Sequence, residues 1–264
     1  MNKGLKVLLL IVLIFAPILF YKILNQGEGR HTSVLSFRDK EDFDDKPDIA
    51  LIFDDFGESL SDLKEVYSLG IPLTISVIPN LKFSKNIAHI ASRCNFSVLI
   101  HLPLEPKDKN YEKRMRFIGA KLGKHEIKSL LRDYLNSIRI AIGVNNHMGS
   151  EATENLELMR IILEEVKKRN LIFIDSRTSA DSVAYEEASR QGLICGYNEG
   201  FLDYSDDIIK IEERMEELIK TAQELGKIIV IAHPKKTTID FLKNKLPIIR
   251  EKVDFITIKE YFGL

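Results

Sequence analysis

Cysteine is scarce in this chain. Its 264 residues include two, Cys94 and Cys195, and neither sits in a Cys-x-x-Cys pair. Two cysteines do not make a disulfide framework; buried thiols, or a single bridge in an exported chain, are the readings left. One-sided charge is missing as well. Lys and Arg number 38 against 39 Asp and Glu, a formal net charge of −1. No global field draws the chain toward nucleic acid, and no nucleic-acid partner is expected. The two signs are interleaved, the pattern of solvated helix faces. Familiar catalytic motifs are absent too: there is no Gly-x-Ser-x-Gly and no P-loop. Asp55-Phe56-Gly57 spells the kinase metal-binding triplet, but no Gly-rich loop and no His-Arg-Asp loop accompany it. A phosphatase with an aspartyl nucleophile would need a second Asp two positions after Asp54, where Phe56 stands. No internal repeat and no second folded domain are visible.

What is present begins with one long apolar run. Lys3 and Lys6 precede it, and from Leu5 to Leu24 it has about the 20 residues that cross a bilayer. The run has no polar face, and Pro17 is tolerated in such a span. Phe20-Tyr21-Lys22-Ile23 offers no small residues for a signal-peptide cleavage site, so an uncleaved anchor fits better than a cleaved signal. Lysines on the short side place that end in the cytoplasm and the remainder outside. Residues 1–24 are therefore expected to anchor an extracytoplasmic chain to the membrane, or to leave it secreted if cleaved. Residues 25–46 are polar and charged, with Gly27 and Gly29, and are expected to be a tether.

From Pro47 the pattern becomes regular. Strands are expected at Ile49–Phe53, Leu73–Ile78, Ser97–Ile100, Ala141–Val144, Leu171–Ile174, Leu193–Cys195, Ile228–Ile231 and Phe255–Ile258. Between them, helices are expected at Leu60–Leu69, Ser84–Arg93, Lys124–Arg139, Asn155–Lys168, Ala180–Arg190, Asp207–Leu225 and Thr238–Lys252. Ser84 and Thr238 are candidate N-caps, and Gly70, Gly192 and Gly226 stand where helices should stop. Alternating strands and helices indicate an α/β fold with a parallel sheet. Seven or eight such units over residues 47–264 suit a distorted (β/α) barrel better than an open sheet.

Active sites in parallel α/β folds form at the carboxyl ends of the strands. Strand after strand here runs into a reactive group: Phe53 into Asp54 and Asp55, Ile100 into His101, Val144 into Asn145-Asn146-His147, Ile174 into Asp175, and Ala232 into His233. Taken singly, each could cap a helix or bond within a loop. Five on one face make a site. His31, His89 and His125 fall in the tether or on helices and are read as solvent-exposed. An Asp with two His, as in Asp55, His101 and His147, suits one divalent catalytic metal with a position open for water. Imidazole with carboxylate fits Zn²⁺ best, with Fe, Ni or Co also compatible. A further carboxylate could take a proton from the water, and a further His could protonate a leaving group.

Six segments then carry a resemblance. They are Ile52-Phe53-Asp54-Asp55-Phe56-Gly57, Pro72-Leu73-Thr74-Ile75-Ser76-Val77-Ile78-Pro79, His101-Leu102-Pro103-Leu104-Glu105-Pro106, Asn145-Asn146-His147-Met148-Gly149-Ser150, Asp175-Ser176-Arg177-Thr178-Ser179 and Ala232-His233-Pro234. In this order, across residues 48–264, the chain resembles the divergent polysaccharide deacetylases, within the wider superfamily of glycoside hydrolase and deacetylase barrels. The resemblance implies a distorted (β/α) barrel and metal-dependent removal of acetyl from an N-acetylated polysaccharide or peptidoglycan-like glycan. It implies Asp54 as catalytic base, Asp55, His101 and His147 as metal ligands, and His233 as general acid. The better-studied deacetylases carry two ligand histidines in one His-x-x-x-His motif. Here Glu105 stands four residues after His101, so the second histidine must come from another strand, and His147 is the candidate. Glu105, Asp175, Arg177 and Asp203 are candidates for lining the substrate pocket or orienting histidines, with a salt bridge or helix cap the equal alternative. The rival functional class is a glycan- or envelope-binding domain that contains the metal without deacetylase activity.

Overall fold

The computed structural model describes residues 46–110 and 115–264. The anchor expected over 1–24 and the tether over 25–46 lie outside these, apart from Lys46. Among the described residues no helix is long and apolar enough to cross a membrane.

Among the described residues, nine strands and eight α-helices follow one another. The strands are β1 (Asp48–Phe56), β2 (Thr74–Val77), β3 (Ser97–Leu104), β4 (Gly143–Met148), β5 (Ile172–Asp175), β6 (Cys195–Tyr197), β7 (Gly200–Phe201), β8 (Lys227–Ala232) and β9 (Asp254–Ile256). The helices are α1 (Leu60–Tyr67), α2 (Ser84–Arg93), α3 (Lys124–Ser137), α4 (Leu156–Lys167), α5 (Ala184–Arg190), α6 (Ile208–Leu225), α7 (Lys236–Ile249) and α8 (Ile258–Tyr261). All pairings are parallel, in the order β6-β5-β4-β3-β2-β1-β8-β7, with β9 beside the start of β1. The sheet curls, and its two edge strands are consecutive in the chain. Asn198 and Glu199 join them, Asn198 N donating to Asp175 O and Glu199 N to Ile229 O. The result is a curled parallel α/β sheet consistent with a barrel distorted at that seam.

Several boundaries differ from expectation. The sixth strand lies at 195–197 and is followed by the unexpected short β7, while residues 258–261 are helical. Ser84 does not cap α2. It is the helix's first residue, and its Oγ donates to Ile78 O and accepts from Leu81 N. Thr238 lies inside α7, where its Oγ1 donates to Asp203 Oδ2. Gly70, Gly192 and Gly226 do follow helices, with φ of 62°, 74° and 81°. Cys94 and Cys195 are free thiols.

Alternation along the strands sorts the side chains into two cores. Ile49, Leu51 and Phe53 of β1 face outward and pack with the helices. Ala50 and Ile52 face inward, where they meet Leu99, Ile172, Ile174, Ile229, Ile231 and Ile258 in a separate apolar cluster. This inner plug is fully buried, each large aliphatic side chain contributing roughly 1.5–3 kcal/mol by leaving water. One step further along the same inward rows come Asp54 after Ile52, His101 after Leu99, Asn145 after Gly143 and Ser176 after Ile174.

Candidate metal centre

β1 delivers two adjacent carboxylates to one place, which a regular strand cannot do. Between Phe53 and Phe56 its register with β2 shifts: Phe53 faces Ile75 while Phe56 faces Val77, three steps against two. The extra residue is a bulge. Asp55 occupies it with φ 64°, a left-handed conformation that costs a non-glycine residue about 1 kcal/mol or more. The bulge keeps Phe53 and Phe56 in the outer core and leaves Asp54 and Asp55 both at the site. Gly57 then turns the chain at φ 145°, where an added Cβ would lie 2.8 Å from Leu81 Cδ1.

β3 and β4 supply the histidines. His101 is paired in register with Asn145, and Pro103 with His147, so both imidazoles rise from neighbouring strands. His147 Nδ1 lies 2.8 Å from Asp55 Oδ1, and His101 Nε2 lies 3.1 Å from the same oxygen and 3.5 Å from Asp54 Oδ2. The two rings meet edge to face, centroids 4.8 Å apart. One donor atom each from Asp55, His101 and His147 fall within 4.8 Å of one another. Zinc–ligand bonds of roughly 2.0–2.2 Å place tetrahedral ligands about 3.4 Å apart. The spacings here bracket that value, so side-chain adjustments would fit the trio to a cation. Asp54 and His101 are buried while Asp55 is exposed and His147 partly so, which leaves one side open to solvent.

Asn145 is the hub beneath. Its Oδ1 accepts from Ser76 Oγ and from His101 Nδ1 at 2.9 Å. Its Nδ2 donates to Asp54 Oδ1 at 2.9 Å and Oδ2 at 3.1 Å, with Ser176 Oγ at 3.3 Å. His101 Nδ1–H is thereby committed to Asn145, so Nε2 is the atom turned to the carboxylates, and the proton it shares with Asp55 in the metal-free chain is the one a cation would displace.

On the far side, His233 at the end of β8 donates Nδ1 to Asp203 Oδ1 at 2.9 Å. Asp203 is buried and its other oxygen accepts from His233 N and Thr238 Oγ1. His233 Nε2 lies 3.9 Å from Asp55 Oδ2, and Phe201 stacks on its ring.

These contacts set the protonation states. Burial raises the Asp54 pKa and outweighs the pull of His101 and His233. Burial also acts upward on Asp55, but hydrogen bonds from His101 and His147 hold it far below the ordinary carboxylate range. Burial acts downward on His101, and the Asp54 and Asp55 charges overcome it and raise its pKa. Burial likewise opposes a charge on His233, yet the Asp203 hydrogen bond and charge push it up to about 9. Burial raises and His233 lowers Asp203, with a net lowering. Groups that draw protons this strongly into one pocket are groups a divalent cation competes for.

The expected site residues thus divide. Asp54, Asp55, His101, His147 and His233 come together, with Asp203 behind His233. Glu105 pairs instead with Lys109 Nζ at 3.0 Å, and its backbone carbonyl accepts from Glu151 N and Ala152 N. Asp175 is buried and holds the loop after β5, accepting from Arg177 N, Ser182 Oγ and Tyr185 N. Arg177 is exposed beside a neighbouring pocket. Asn145, Ser76 and Ser176 were not among the expected site residues. The signal for Asn145 was its place two residues before His147, hence on the same strand face.

The solved structure of the Agrobacterium tumefaciens C58 protein ATU2773 shares this fold, with a TM-score of 0.76 at 17% identity over 84% of this chain and 91% of that one. The Escherichia coli K12 protein YibQ is 30% identical over 196 residues, 74% of this chain. The chain spans about three fifths of that relative, since the match covers 61% of YibQ. A Haemophilus influenzae protein is 28% identical over 210 residues, 79% of this chain and 74% of its own length. The family model described as divergent polysaccharide deacetylase matches residues 51–262, from the strand before Asp54 to the end of the last helix, and the chain belongs to that family.

Proposed function

We propose that the domain is a metal-dependent carbohydrate deacetylase that removes acetyl groups from an N-acetylated polysaccharide or peptidoglycan-like glycan. The observation that carries this reading is the convergence of Asp55, His101 and His147 on one point, with Asp54 on one side and His233 on the other. The donor set of two imidazoles and a carboxylate suits Zn²⁺, which when bound lowers the pKa of water and polarises a carbonyl. Asp54, desolvated and held by Asn145, is placed to accept the proton of the attacking water. His233, charged through neutral pH by Asp203, is placed to give its Nε2 proton to the departing amine as the C–N bond breaks. Acetate and a free amino sugar result. The exposed flank of Asp55 and His147 admits the acetamido group.

The apolar run at 5–24 supports action outside the cytoplasm on an anchored chain. The experiment is direct. The full chain, stripped with chelator and reloaded with Zn²⁺, should release acetate from N-acetylated oligosaccharides or peptidoglycan fragments. No release from a broad panel, with stoichiometric zinc bound, would favour a glycan-binding role.

A further inference from the structure

The helix layer is interrupted on one side of the sheet. Between β6 and β7 the chain runs through Asn198 and Glu199 with no helix, and a pocket of about 700 Å³ opens there. It adjoins the metal centre twice. Phe201, on its wall, has its ring 6.0 Å from that of His233 and nearly parallel. Asn198, also on its wall, donates Nδ2 to the carbonyl of Ser176, whose hydroxyl belongs to the polar network under Asp54.

Arg177 is built into this pocket with unusual care. Its backbone is left-handed at φ 51°, held by Asp175 Oδ1, which accepts its N–H at 2.8 Å. Its guanidinium lies 3.7 Å from the centroid of Tyr197, which is itself braced edge-on by Tyr185. A guanidinium stacked by its face keeps its N–H edge available. Among the described residues no carboxylate oxygen forms an ion pair with it, although its charge pulls against the burial that raises the pKa of nearby Glu199 and Asp175, and its side chain is exposed. The second arginine there, Arg214, is already engaged by Glu217 at 2.7 Å and by the Phe201 carbonyl. It lies so close over Gly200 that a Cβ there would stand 1.9 Å from its Nη2.

We propose that this pocket is a subsite for a sugar unit bearing a carboxylate, gripped by the Arg177 fork, in a glycan whose neighbouring N-acetyl group lies at the metal centre. The proposal rests on the deacetylase reading above and names the kind of glycan. A planar carboxylate matches the guanidinium edge two bonds at a time. Glu186 and Glu199 on the same wall offer acceptors for sugar hydroxyls. Tyr204, 63% exposed, offers a ring face to the apolar side of a pyranose.

The test uses the full chain and two probes, the disaccharide N-acetylglucosaminyl-N-acetylmuramic acid and its carboxyl methyl ester. Titration calorimetry should show the free acid binding at least tenfold tighter. Arg177→Met should abolish that preference while leaving ester affinity unchanged. Tyr197→Leu, which removes the stacking platform, should reduce the preference, and it carries the test if Arg177→Met does not fold. Equal binding of the two probes, binding of neither, or a preference that survives both substitutions overturns the proposal. Acetate release is scored separately on the ester. Selectivity without release keeps the subsite and removes the deacetylase reading; release without selectivity does the reverse.

Discussion

The inward rows of the strands hold two layers of opposite character, one step apart. The lower layer is Ala50, Ile52, Leu99, Ile172, Ile174, Ile229, Ile231 and Ile258, all apolar. One buried hydroxyl lies beside it, that of Thr74 two residues before Ser76; the Thr74 Oγ1 accepts from Ile258 N. The upper layer is Asp54, Ser76, His101, Asn145 and Ser176, all buried and all polar. The strands do not change between them; only the residue two positions on does. The lower layer is held by removal of apolar surface from water. The upper one is tolerable only because its members hydrogen-bond one another. Among the described residues the one buried side-chain polar atom without a hydrogen bond is Arg160 Nε, on α4 and outside this network. Stability and chemistry are therefore separable by substitution, and that separation can be tested.

The sharpest separation comes from Asp54→Asn. The amide keeps the volume and loses the base, so acetate release should fall about 10³-fold, roughly 4 kcal/mol of transition-state stabilisation, with the melting temperature little changed. An active Asp54→Asn chain would remove Asp54 from the chemistry. Ile231→Ala should do the opposite. It opens a cavity in the lower layer and should cost about 3 kcal/mol in denaturant unfolding, while turnover per folded molecule is retained. If turnover falls as far as stability, the layers are coupled and the comparison fails.

Asn145→Ala should affect both layers' properties moderately. It leaves Asp54, His101 and Ser76 short of a partner, at about 2 kcal/mol of stability. It also frees the His101 ring, so zinc affinity should drop roughly 10- to 100-fold. Zinc affinity unchanged in competition with a chelator dye would show that Asn145 only fills space.

How much of this was readable in advance follows from the same alternation. Strand ends carrying Asp54, His101, His147 and His233 stand out because an apolar run stops at a titratable residue. The parallel sheet and the outer helices follow from periodicity. The seam does not: the sixth strand was expected at 193–195 but lies two residues later, the two-residue β7 is too short to register as an apolar run, and the pairing of both is tertiary. The bulge at Asp55 was hidden for the same reason, since a register shift is visible only against a partner strand. Asp175 was a candidate because an apolar run ends at it, and Glu105 because it stands four residues after His101 in a segment that carries the family resemblance. Yet Glu105 lies beyond His101 in the loop, where Lys109 meets it, and Asp175 sits on the opposite strand face from Ser176. Asn145 was legible as a position and not as a hub, because an amide's role depends on which four groups surround it.

The smallest expected effect concerns His233, which borders the upper layer without belonging to it. In the metal-free chain its imidazolium should titrate at about 9 by NMR, and Asp203→Asn should bring it down toward the ordinary range. The sign for stability is fixed by that direction. A histidine raised on folding lends stability that is complete below its unfolded pKa of roughly 6.5 and fades as pH climbs toward about 9. Asp203, lowered on folding, lends stability above the ordinary carboxylate range and loses it on acidification. The unsubstituted chain should thus exceed Asp203→Asn in stability most clearly near pH 6, by about 1.5 kcal/mol, with the gap narrowing above pH 8. A gap unchanged between about pH 6 and about pH 9 would mean that Asp203 serves Thr238 and the β8–α7 turn rather than the charge on His233.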